Sequence, residues 1–134
     1  MTIVSTYDNY LSEPQALTLE QMADIHRQMA DEIGNDTEIL EYYADLLKAA
    51  NKYAGIRASW PMLDVKEKME KDPGRTSAHD SVITHVNLMA RLLRSMGKPA
   101  AWRDILGEEK DPYNRKAIGD FACYLAFIAG ISAR

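Results

Sequence analysis

The stretch from Ile118 to Ala129 constrains this chain more than any other. Asp120 is its only charged residue, and Gly119 is the only other position that is not apolar. At about 100° per residue the apolar side chains cover nearly the whole circumference of a helix, so other elements must surround it. Asp111-Pro112 supplies an N-cap followed by proline at the first helical position, and the helix is predicted to run from there to about Ala129. The rest of the chain therefore has to form an envelope around a central C-terminal helix.

The envelope is predicted to be helical. Thr18-Leu19-Glu20-Gln21 is a capping box, followed by Leu19, Met22, Met29 and Ile33 at helical spacing, and Gly34 fits a helix end. Asp36 caps a second helix, whose residues Ile39, Tyr43, Leu46, Ala50 and Tyr53 form one stripe. Leu40, Leu47 and Ala54 widen it, and the helix is expected to end by Trp60-Pro61. A short third helix is predicted over Met62 to Lys71, closed by a turn at Asp72-Pro73-Gly74. A fourth starts near Ser77, carries Val82, Val86, Met89, Leu93 and Met96 on one face, and stops at Gly97-Lys98-Pro99. A short helical segment follows from Ala100 to Leu106.

Nowhere does strand alternation appear over a useful length, and there is no internal repeat. The predicted fold is all-α: a compact bundle of four or five main helices with a buried C-terminal helix. The 134 residues form one helical domain, 1–134, with residues 1–17 as an arm or short helix. A formal net charge of -4 gives no broad footprint for nucleic acid. The longest nearly uncharged stretch, Phe121 to Ile131, is about half of what a membrane span needs. The N-terminus lacks a basic start and a long apolar run, so no secretory leader is expected. One cysteine, Cys123, allows no internal disulfide and fits a reducing compartment. The expected location is the cytoplasm.

Phosphate loops, Cys-x-x-Cys, His-Glu-x-x-His and Gly-x-Ser-x-Gly are all missing. Three weaker features remain. His79-Asp80, with His26 and Asp120, is a ligand set that could hold a divalent metal and activate water, as in all-α phosphohydrolases. The plainer reading is that Asp80 serves the first turn of a helix and His79 packs beside the apolar stripe. Asp120, alone among apolar neighbours, needs a partner, and the candidates are His79, Arg91, Arg75 and Arg115. Asp80, Thr84, Asn87, Arg91 and Arg94 share the polar side of the fourth helix, where the arginines suit an anion or an acidic partner if the face is not simply solvated.

Acidic pairs at Glu38 and Glu41, Glu67 and Glu70, and Glu108 and Asp111 allow a magnesium-dependent nucleotide pyrophosphatase reading. Twenty acidic residues also make accidental pairs expected. Methionines recur seven apart at Met22 and Met29, Met62 and Met69, and Met89 and Met96, which predicts core filling before a partner groove. Trp60 and Trp102 lie at helix breaks, where they cover core ends or mark a partner surface. Close helix packing would account for Gly119, and helix termination for Gly130.

Three segments carry a family resemblance: Arg75-Thr76-Ser77-Ala78-His79-Asp80, Trp102-Arg103-Asp104-Ile105-Leu106-Gly107 and Arg115-Lys116-Ala117-Ile118-Gly119-Asp120-Phe121-Ala122. Over its second half the chain resembles a group of small, uncharacterised bacterial helical proteins, a domain of unknown function. The resemblance implies a small bacterial helical protein and brings no activity, cofactor or catalytic residues with it.

The expected function is a non-enzymatic helical module that binds a protein partner or itself, with no cofactor, nucleic acid or membrane involved. The alternative is a small metal-dependent hydrolase with His79 and Asp80 in the catalytic role and His26, His79, Asp80 and Asp120 around the metal.

Overall fold

A computed structural model describes residues 16–107 and 112–132, with side chains described for 16–107 and 116–130. Of the predicted arm only Ala16 and Leu17 fall among the described residues, and so do neither Glu108 nor Asp111.

Local capping sets the helix starts. In α1 (Leu19–Ile33) the Thr18 hydroxyl accepts from Gln21 N at 3.1 Å, and Thr18 N donates to Gln21 Oε1 at 2.9 Å. Gly34 ends the helix with φ 55°, a region glycine enters without the Cβ penalty. Asp36 Oδ1 accepts from Ile39 N at 3.0 Å and starts α2 (Thr37–Ser59). A 3₁₀ turn, Trp60–Met62, leads to Asp64, which forms a second capping box with Glu67.

From Asp64 the chain departs from expectation. The short third helix and the fourth helix are one continuous helix, α3 (Val65–Ser95), 31 residues long. Asp72-Pro73-Gly74 lies inside it, and Ser77 caps nothing. Pro73 cannot donate to the Met69 carbonyl four residues back. That carbonyl lies on an exposed stretch of helix, where water can serve as its partner. Two features brace the segment: the Asp64 capping box at its start, and Arg75, whose guanidinium lies 4.6 Å from the centre of the Trp60 ring. Two shorter elements complete the fold, α4 (Trp102–Ile105) and α5 (Pro112–Ser132). Gly130 does not terminate the last helix, which runs past it.

Among the described residues the architecture is an all-α bundle of five helices with no strand. α2 packs along both α3 and α5, and α1 closes against α4 and α5. Residues 117–125 of α5 are buried without interruption, as its all-round apolar sequence demanded. Met22, Ile25, Met29, Leu46, Val82, Val86, Met89 and Leu93 are fully buried around it. No helix among the described residues is long and apolar enough to cross a membrane.

The core occupies only part of α3. Its buried residues begin at Ala78, and the preceding residues 65–77 are exposed or half-buried. The first three turns thus lie outside the core, beside the end of α2 and the 3₁₀ turn, where Glu70, Gly74 and Arg75 share a groove of about 300 Å³ with Ile56 and Leu63.

Candidate functional site

Asp120 is completely buried, and its partner is Arg57 of α2, which none of the sequence candidates had named. Arg57 Nη2 lies 2.6 Å from Asp120 Oδ1, and both side chains are almost wholly removed from solvent. The second carboxylate oxygen accepts from Ala16 N at 2.5 Å, tying the segment before α1 to the bundle centre. Arg57 Nη1 also points to Cys123 Sγ, 3.9 Å away. Burial opposes the charge on Arg57, but Cys123 and Asp120 outweigh it and hold the guanidinium pKa above its ordinary value. The Cys123 thiol is buried beside this pair.

A sequence signal for Arg57 did exist. It lies four residues after Tyr53 and continues the stripe Ile39, Leu46, Ala50 and Tyr53 onto the buried face of α2. A charge on an apolar stripe and a carboxylate in an apolar helix satisfy one another.

His79 joins the same region from α3. It is buried and meets Tyr53 edge-on, with ring centroids 5.1 Å apart at 71°. Gly119 of α5 fits directly against both rings. A Cβ there would lie 2.9 Å from the Tyr53 hydroxyl oxygen and 3.3 Å from His79 Nε2. Close packing therefore requires this glycine. Gly119→Ala gains about 1 kcal/mol of helix propensity and loses more by crowding two buried rings, typically about 1–3 kcal/mol. A net loss is expected, seen as a lower urea midpoint, with partial recovery in Gly119→Ala/Tyr53→Phe. A midpoint above the parent's would contradict the packing role.

The remaining candidates lie apart from this cluster. Arg75 stacks on Trp60 and does not reach Asp120. Asp80 and Arg91 are exposed. The Arg115 side chain is outside the described residues. His26 is half-buried on α1, with its ring 6.3 Å from Tyr124, and burial lowers its pKa. The metal reading needed His26, His79, Asp80 and Asp120 in one place. Among the described residues no group of three or more His, Cys, Asp or Glu side chains is arranged to share an ion. His79 and Asp120 face the bundle interior, Asp80 is exposed, and His26 packs against Tyr124, one turn of α5 beyond Asp120.

Arg91 lines a groove of about 330 Å³ with Asn87, Ala90, Arg94 and Arg103. Two of these arginines direct their donors at the protein itself. Arg94 donates to the Pro99 and Ala100 carbonyls, both at 3.2 Å, and Arg103 donates to Asn87 Oδ1 and Gly107 O, both at 2.8 Å. They hold the α3–α4 connection and close the end of α4.

A second surface lies at the start of α3. Met62, Val65 and Met69 are 85%, 75% and 73% exposed, whereas the methionines at 22, 29 and 89 are fully buried. The seven-residue spacing of Met62 and Met69 thus does not signify core filling. A shallow groove of about 330 Å³ runs beside Met69, lined also by Trp60, Lys68 and Asp72. Comparison of the chain with protein-family models, with curated proteins and with solved structures finds no match.

Proposed function

We propose that this protein is a non-enzymatic helical module that binds protein through the exposed start of α3. The observation that carries this reading is the exposure of Val65 and Met69, on helical turns that add nothing to the core, and of Met62 in the 3₁₀ turn before them, with half-buried Trp60 beside Met69. Large apolar side chains gathered on a helix that the body does not need are the mark of an interaction surface. Methionine adapts its shape to a partner, and an indole beside it provides a rigid apolar wall. The buried Arg57–Asp120 pair, with His79 and Tyr53, serves in this reading to hold α2, α3 and α5 in register, so that the first turns of α3 have a fixed base. The single cysteine and the resemblance to small bacterial helical proteins support a bacterial cytoplasm as its setting.

The test is a photo-crosslinking amino acid placed at Met69, with the same group at exposed Thr84 as the control, in the cells that make the protein. Discrete protein adducts are expected from position 69, absent from position 84 and lost when Val65→Glu is added. No adduct from position 69, or the same adducts from both positions, would overturn the proposal.

A further inference from the structure

We infer that the occupant of this face is a second copy of the chain, docked antiparallel about a two-fold axis at Met69. The inference rests on the reading of this surface as an interaction site and specifies its partner. Val65, Met69 and Pro73 are spaced four apart, fall within about 40° of one line on α3, and are all exposed. Charges flank that line in a particular order. At about 100° per residue, Lys66 and Glu70 lie on one side of it, and Lys68 and Asp72 lie on the other.

Two helices facing each other can pair in two directions, and the charges distinguish them. In an antiparallel pair the two-fold axis keeps each flank on its own side and reverses its height. Lys66 then faces Glu70 of the second copy on one flank, and Lys68 faces Asp72 of the second copy on the other. Symmetry doubles each contact, so four attractive pairs flank the apolar line. They lie closer than the like-charge Glu70–Glu70 and Lys68–Lys68 approaches, because Lys66 and Asp72 sit nearer the line than Glu70 and Lys68. In a parallel pair the flanks exchange. Lys66 then meets Lys68, and Glu70 meets Asp72, so the nearest flanking contacts are repulsive. The pattern is self-complementary in one direction only, which is how charges beside an apolar seam set helix orientation.

The four charged residues are also free for this task. The structure records no ion pair between them and any described residue. Within the helix, Lys66 precedes Glu70 and Lys68 precedes Asp72 by four, the less favourable order for intrahelical pairing. Around the two-fold axis the apolar contacts are Met69 on Met69 and Val65 on Pro73. Residues 65–73 span about 12 Å of helix, a short seam that places the association among weak, reversible ones.

Sedimentation equilibrium of the purified chain, from micromolar to millimolar concentration, tests the inference. A monomer–dimer equilibrium that weakens with salt is expected. Lys66→Glu should weaken it roughly tenfold, because both symmetry-related contacts become repulsive. Lys66→Glu/Glu70→Lys, which restores the opposite signs across the pair, should recover it, and Met69→Glu should abolish it. All these positions are exposed, and circular dichroism checks that each variant keeps its helix content. A chain that stays monomeric throughout overturns the inference. So does a Lys66→Glu variant that associates more tightly, as a parallel pair would. Monomeric protein that still yields adducts of other mass from position 69 removes the self-pairing and leaves the interaction surface standing. Monomeric protein with no adducts removes both.

Discussion

Asp120→Ala is expected to lower the unfolding free energy by about 3–5 kcal/mol, the cost of removing one partner from a buried ion pair. The substitution leaves the Arg57 guanidinium buried without the carboxylate that it faces at 2.6 Å. It also takes away the acceptor for Ala16 N, so the segment leading into α1 loses its tie to α5. A domain of this size has about 5–15 kcal/mol in all, so the loss is a large share of the total. Urea denaturation measures it. The apolar double variant Arg57→Met/Asp120→Leu should be less harmful than Asp120→Ala, because no charge is then stranded. A loss below about 0.5 kcal/mol, the range of surface positions, would show that the pair is not buried in solution.

Trp102→Ala is the second large effect, at about 3–5 kcal/mol. α4 is only four residues long and cannot hold itself as a helix. What fixes it is the fully buried Trp102 ring and a clamp from α1. Glu32 Oε1 accepts from Trp102 Nε1 at 2.8 Å, and Glu32 Oε2 accepts from Ala100 N at 3.0 Å. Ala100 has φ 47°, an uncommon conformation for a residue with a Cβ, and the Glu32 bond helps hold it there. Trp102→Phe separates the two contributions. It retains most of the apolar volume and removes only the N–H, so it should cost about 1–2 kcal/mol. If Phe and Ala cost the same, the hydrogen bond, and not the buried ring, would be the main anchor of α4.

On the proposed self-pairing, the association surface and the stability of the body are separate. Residues 65–77 hold none of the core, so variants there should alter self-pairing and leave the urea midpoint nearly unchanged. Variants at Asp120, Gly119 or Trp102 should do the reverse.

Signals carried by a few neighbouring residues were readable along the chain. Thr18 with Gln21 and Asp36 with Ile39 announce helix starts because capping is a contact over three residues. The burial of residues 117–125 follows from an apolar circumference, which water does not tolerate. The isolation of Asp120 in that run already demanded a partner. The identity of that partner was a different matter. Arg57 lies on another helix, and only the packing of α2 on α5 brings the two together. The break expected at Asp72-Pro73-Gly74 failed for a related reason. Proline and glycine set local costs, and a helix capped at Asp64, braced by Arg75 on Trp60 and anchored from Ala78 onward can absorb them. Seven-residue spacing puts Met22 and Met29 on one face of α1, but Met62 and Met69 fall on different elements, because extended Leu63 and Asp64 separate the 3₁₀ turn from α3. Local chemistry determines where helices begin and which of them must be enclosed. Which residues meet across helices, and which apolar faces stay open to a partner, is decided only when the helices pack, because those contacts join residues with no mutual signal along the chain.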